Sequence, residues 1–333
     1  MTHRLRVSAL IAGVVWLFAA PASAQCVRAP ELTVAPSADA SAGPTLNDRL
    51  GRMVAPVMVN GQGPFRFVVD TGANRSVLSQ GLADRLGLTP FGQGEVHTVH
   101  GETTAPLVRI ESLSYGQVIL PAEPMPVLSG PVFAGEQGLL GVDGMRGRRL
   151  RLDFDRSCIE IRPASRSRFA GEGWTRLRGE LRFGHLVVIP GRIGTVNLNV
   201  LVDTGSDRSL ANVALRDALR QANPHWARDV EGAVRAYSAG HAVLLDEAMA
   251  LPRLQLQDMQ IRNLVTFVGD FHIFTLWGMQ NEPTMLIGMD VISRAREIVI
   301  DYDRATVDFR VRQTSRTGSN ITRAQTRGSS TYE

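Results

Sequence analysis

Phe67-Val68-Val69-Asp70-Thr71-Gly72-Ala73 and Val200-Leu201-Val202-Asp203-Thr204-Gly205-Ser206 are two copies of one short text, 133 positions apart. Each sets an aspartate at the end of an apolar, strand-like run and follows it with a threonine and a glycine. A single Asp-Thr-Gly is a common strand-to-turn junction. Two in one chain suggest a different use. Two carboxyl groups brought face to face cannot both ionise cheaply, so one keeps its proton while the other acts as a base. An acid and a base on either side of one water are what amide hydrolysis needs.

The surroundings repeat as well. Pro56-Val57-Met58-Val59-Asn60-Gly61-Gln62-Gly63-Pro64-Phe65-Arg66 and Val187-Val188-Ile189-Pro190-Gly191-Arg192-Ile193-Gly194-Thr195-Val196-Asn197-Leu198-Asn199 both read as strand, glycine-bearing turn, strand. Val196, Leu198, Val200 and Val202 alternate at period two, as in a strand with one buried face. Arg75-Ser76 is matched by Arg208-Ser209, and Leu139-Leu140-Gly141-Val142-Asp143 by Leu286-Ile287-Gly288-Met289-Asp290. Leu150-Arg151-Leu152-Asp153-Phe154-Asp155-Arg156 is matched by Ile298-Val299-Ile300-Asp301-Tyr302-Asp303-Arg304. These elements keep the same order in each half, so the chain is a duplicated, mostly β unit with extra sequence in the second copy.

On these motifs the chain resembles the retropepsin-like aspartic proteases. It is similar to a single-chain, bilobal, bacterial-type exported member, duplicated as in pepsin-type enzymes. The resemblance covers roughly residues 50 to 312. It implies two pseudo-symmetric lobes with the active site between them, and Asp70 and Asp203 as the catalytic pair. It also implies that Thr71 and Thr204 cross-bond beneath the site, and that the Leu-Leu-Gly and Leu-Ile-Gly segments pass beside the two turns. Gly72 and Gly205 would admit backbone close to the carboxylates. Ser206 stands where the first copy has Ala73. A hydroxyl donating to a carboxylate favours its ionised form, which makes Asp203 the expected base and Asp70 the expected acid.

Such a protease needs a hairpin that closes over the peptide. The candidate flap residues are His100 and Gly101 in the first half, and Tyr237 and Gly240, beside His241, in the second. The bland alternative is a pair of ordinary turns. Arg75 and Arg208 read as partners of surface acids, Asp143 and Asp290 as caps or ion-pair partners, and Asp153, Asp155, Asp301 and Asp303 as solvated strand ends.

Residues 1–24 read as a signal peptide, with Arg4 and Arg6, an apolar run and Ala22-Ser23-Ala24 as the cleavage site. The expected location is periplasmic or secreted. Removing this segment lowers the formal charge from +4 to +2, and no basic run points to nucleic acid. No lysine occurs, which excludes a Schiff base, a Ser-Lys dyad and a P-loop. No His-Glu-x-x-His or paired-cysteine pattern suggests a metal, and the reaction needs no cofactor. Cys26 and Cys158 could pair in an oxidising compartment, tying the mature N-terminus to the strand closing the first lobe.

The expected layout is a flexible leader (25–46), lobe one (47–163), a hinge (164–173), lobe two (174–312) and a disordered tail (313–333). Helices are expected over Ser79–Leu88 and over Ala211–Ala222 with Asn212 as cap. One chain carries both halves, so a monomer suffices, acting on a peptide or protein substrate. A non-catalytic peptide-binding scaffold is the alternative function. A two-carboxylate glycosidase explains neither the duplicated turns nor the glycine motifs.

Overall fold

The computed structural model describes residues 27–28, 48–115, 118–120, 124–164, 173–183, 186–231, 234–237, 242–311 and 321–323. The expected signal peptide, nearly all of the leader, most of the hinge and most of the tail lie outside the described residues. So do Cys26, Gly240 and His241, and the side chain of Tyr237.

Lobe one is built on a nine-stranded sheet and lobe two on an eleven-stranded one. At the centre of lobe one, Gln62–Val69 runs parallel to Gly138–Leu140, with Val68 opposite Leu139 and Val69 opposite Leu140. Lobe two repeats this register with Val196–Val202 and Thr284–Ile287: Leu201 faces Leu286 and Val202 faces Ile287. These are the apolar runs that lead into Asp70 and Asp203. Parallel strands covered on both faces favour unbroken apolar text, and Phe67 and Val68 are fully buried.

A six-stranded sheet joins the lobes, in the order Val27–Arg28, Cys158–Pro163, Arg148–Asp153, Ala295–Asp301, Thr306–Val311, Trp174–Arg178. The third duplicated motif therefore pairs with its own copy. Leu150 lies opposite Ile300, Leu152 opposite Ile298, and Arg151 opposite Val299, its counterpart in the repeat. A pseudo-two-fold axis passes through that last pair. The strand Trp174–Arg178, placed in lobe two by the sequence, belongs to this shared sheet and pairs with Thr306–Val311.

The sheet corrects one expectation. Asp153 and Asp301 are buried rather than solvated. Asp301 accepts from Arg149 at 2.7 Å. Burial works against its charge, but Arg149 and Arg304 hold its carboxyl below the usual range. Glu297 is gripped by Arg151 and Arg310, each at 2.6 Å. The inter-lobe seam is thus arginine-carboxylate work on a hydrophobic base of Leu150, Leu152, Ile298 and Ile300.

The helices following the two turns are Gln80–Arg85 and Val213–Ala222. Ser79 and Asn212, which occupy matching positions in the repeat, cap them by accepting from Leu82 N and Leu215 N. Two shorter helices, His272–Leu276 and Met289–Ile292, had no sequence signal separable from strand. Cys158 is disulfide-bonded, and Val27–Arg28, directly after Cys26, pairs with the strand that carries it. No helix among the described residues is long and apolar enough to cross a membrane.

Candidate active site

The two Asp-Thr-Gly turns meet across the lobe boundary. Thr71 N donates to Thr204 Oγ1 at 3.2 Å, and Thr204 N donates to Thr71 Oγ1 at 3.0 Å. Each hydroxyl in turn donates at 2.7 Å to a backbone carbonyl of the opposite lobe, Thr71 to Val202 and Thr204 to Val69. Both amides and both hydroxyls of this buried cross-brace are used, which fixes the separation of the two turns.

The carboxyl groups sit directly above it and hydrogen-bond each other. Asp70 Oδ1 accepts from the backbone of Gly72 and Ala73, both at 3.0 Å, and Asp203 Oδ1 accepts from Gly205 N at 2.8 Å. The glycines abut the partner lobe's carboxyl, not their own. A Cβ on Gly72 would lie 2.7 Å from Asp203 Cγ, and one on Gly205 would lie 2.2 Å from Asp70 Cγ.

A further pair of glycines buttresses the turns from behind. A Cβ on Gly141 would meet the Arg75 carbonyl carbon at 2.5 Å, and one on Gly288 the Arg208 carbonyl oxygen at 2.5 Å. Ser76 Oγ donates to Asp143 at 2.7 Å and Ser209 Oγ to Asp290 at 2.8 Å. The same hydroxyls accept from Gly141 N and Gly288 N, each at 3.1 Å. The repeated Arg-Ser is thus informative for its serine, a role that reading its arginine missed. Arg75 donates to the Pro124 carbonyl at 2.5 Å, while Arg208 pairs with Asp207 at 3.6 Å. Both arginines also line the cavity above the carboxyls.

Protonation runs opposite to the order expected from Ser206. Its hydroxyl donates to the Arg208 carbonyl at 2.8 Å and leaves the carboxyl alone. The asymmetry comes from Arg52, a buried residue that sequence reading passed over. Arg52 pairs with Asp48 at 2.6 Å and donates to the Gly205 carbonyl at 3.2 Å and the Val132 carbonyl at 2.8 Å. Burial raises Asp70, and the Arg52 charge opposes that rise. Burial and the neighbouring Asp70 charge push Asp203 up to about 8. The Arg52 charge therefore favours ionisation at Asp70 and leaves the shared proton nearer Asp203.

Above the pair lies a cavity of about 320 Å³. Its walls are mainly apolar, with Val77, Leu128 and Leu139 from one lobe and Leu210, Ile273 and Trp277 from the other. The hairpin Pro90–Thr98/Gly101–Val108 forms its roof. His100 and Gly101 stand at the hairpin tip, and His100 meets Phe271 of lobe two edge-on at 5.5 Å. Val99 packs on the apolar cluster around Phe271 and Phe274, and its carbonyl accepts from Ile273 N at 3.4 Å. In lobe two the strands Val234–Tyr237 and Ala242–Leu245 form a separate hairpin, of which Leu245 reaches the cavity.

A family model for aspartyl protease matches residues 55–143, the span that holds Asp70 and the Leu-Leu-Gly segment. The second lobe lies outside that match and repeats the same turn, cap and glycine contacts. Among solved structures, the crystal structure of an aspartic proteinase from Irpex lacteus is similar at 14% identity. That alignment covers 82% of this chain and 97% of the other, with a TM-score of 0.49. No curated protein matches the chain.

The Arg52 assignment has a testable consequence for any activity of the pair. Removing the cation along with its partner, as Asp48→Asn with Arg52→Met, avoids stranding a buried charge. Asp70 then ionises less readily, so the acid limb of the kcat/KM profile is expected to move to higher pH. An acid limb that stays in place would clear Arg52 of this role.

Proposed function

We propose that the protein is an exported aspartic endopeptidase, working in the periplasm or outside the cell, with Asp70 and Asp203 as its catalytic pair. The observation that carries this is the pair of carboxyls held against each other across two lobes, with Arg52 favouring ionisation of Asp70 over Asp203.

The chemistry follows from that bias. Asp70 takes a proton from a water held between the carboxyls as its oxygen attacks the scissile carbonyl carbon. Asp203 gives its proton to the carbonyl oxygen, so the tetrahedral intermediate is a neutral diol. The C–N bond then breaks. Asp70 passes its proton to the leaving nitrogen, and Asp203 recovers one from a diol hydroxyl. The pair ends as it began, with no covalent intermediate and no cofactor.

The apolar walls support an extended peptide with hydrophobic side chains on both sides of the scissile bond. The roofing hairpin excludes water once closed.

The test is cleavage of a diverse peptide mixture, read by mass spectrometry from acidic to alkaline pH. Cuts flanked by apolar residues are expected. The alkaline limb of kcat/KM should fall as Asp203 loses its proton, near pH 8. Retention of peptides without cleavage at any pH would favour a non-catalytic binding scaffold instead.

A further inference from the structure

His97 and Glu102 are cross-strand partners in the roofing hairpin, on lobe one. His272 opens the helix His272–Leu276 on lobe two. Although 175 positions apart, His97 Nδ1 and His272 Nε2 lie 3.2 Å from each other. Glu102 Oε2 is 3.8 Å from His97 Nδ1, and one ligand atom from each residue falls within a 4.8 Å cluster. None of the three takes part in the peptidase chemistry above. No local pattern marks this grouping, because its members come from distant elements rather than one helical motif.

We propose that these three side chains form a binding site for a divalent transition-metal ion of the zinc type, and that the bound ion clamps the hairpin shut. Two imidazoles and a carboxylate are a zinc-type donor set, with a fourth position left for water. Two nitrogens bound tetrahedrally to zinc stand about 3.3 Å apart, given Zn–N bonds of about 2.0 Å. The histidine nitrogens already have that spacing. Glu102 is 63% exposed, so its carboxylate is free to swing the remaining distance. A hydrogen bond between the two imidazoles accounts for their closeness, and cross-strand pairing sets Glu102 beside them, so three zinc-type donors converge in one cluster.

The location gives the ion a consequence. Peptide entry requires the hairpin tip to leave Phe271 and Ile273 of lobe two. A metal bonded to both sides opposes that movement, so zinc acts as a reversible inhibitor outside the catalytic pair. The inhibition rests on the peptidase reading; the binding does not.

Titrating the tag-free full chain with Zn²⁺ by calorimetry, and with Co²⁺ by visible absorption, separates the two. One ion per chain is expected, with a tetrahedral Co²⁺ spectrum. His272→Gln and Glu102→Gln should each weaken binding at least about tenfold. Asp70→Asn and Asp203→Asn should leave it unchanged. No saturable binding, unchanged binding in His272→Gln, or binding lost in the aspartate variants would overturn the site. Zn²⁺ should slow peptide cleavage by the parent and not by His272→Gln; equal slowing of both would overturn the clamp. A chain that binds Zn²⁺ as described but cleaves nothing would leave the site standing and remove the peptidase reading.

Discussion

Asn in place of Asp203 is expected to lower kcat by about 10⁴-fold, the upper end of what a positioned acid or base supplies. An amide matches the carboxyl in shape but cannot lend the proton that the carbonyl oxygen needs. Asp70→Asn should be as damaging, since it removes the base. Residues that act as a unit are not additive, so the double variant should be little worse than either single one.

The stability of Asp203→Asn should move the other way. The folded pKa of Asp203 is raised to about 8, above an unfolded value near 4. Its contribution is therefore fully present below about pH 4 and is lost as pH rises through about 8. Asparagine carries no such penalty. The variant should match or exceed the parent in thermal stability at neutral pH. Its advantage should shrink in acid. Peptide cleavage that survives either single substitution would end the dyad reading. Lost cleavage together with a collapsed melting temperature would point to misfolding.

Ala at position 205 is the second large effect. The new Cβ would lie 2.2 Å from Asp70 Cγ and 2.3 and 2.4 Å from its two oxygens. That carboxyl is no yielding side-chain tip, because Gly72 N and Ala73 N both hold it at 3.0 Å. One of the two groups must give way. Overpacking of this kind costs about 1–3 kcal/mol. A displacement near 1 Å at a reacting group costs about 100-fold in rate. Gly81→Ala is the matched control. It lies in the helix Gln80–Arg85, where a Cβ meets nothing within 4 Å, so activity should hold and stability should rise slightly. Equal kinetics for the two alanine variants would show that the close approach at Gly205 does not matter.

The features legible in the sequence were those that duplication wrote twice. Asp70 and Asp203, the cross-braced threonines and the close-packed glycines all stand in repeated text. So do the caps Ser79 and Asn212, which can be checked against each other. Local signals sufficed there, since a strand, a turn and a capped helix each leave a short-range pattern. Arg52 and Asp48 left none: a cation two positions before a strand reads as an exposed charge until the fold closes over it. The buried Asp153 and Asp301 misled for a similar reason. Carboxylates at strand ends are ordinarily wet, and only the pairing of the two halves places Arg149 beside Asp301. Ser206 misled through a side chain able to choose between two acceptors. The contact between His97 and His272 depends wholly on how one lobe's hairpin reaches the other.

The sheet that joins the lobes also constrains how the chain can be made. Arg151 waits for Glu297, its partner 146 residues later. At a synthesis rate of about 5–20 residues per second, that is a delay of roughly 7–30 seconds. Until then the first half exposes an unpaired strand edge carrying Leu150 and Leu152, a template for mispairing with another nascent chain. Carrying both halves on one chain turns a search through solution into a wait on one tether, and leaves the first half dependent on a helper, or on speed, until the second arrives.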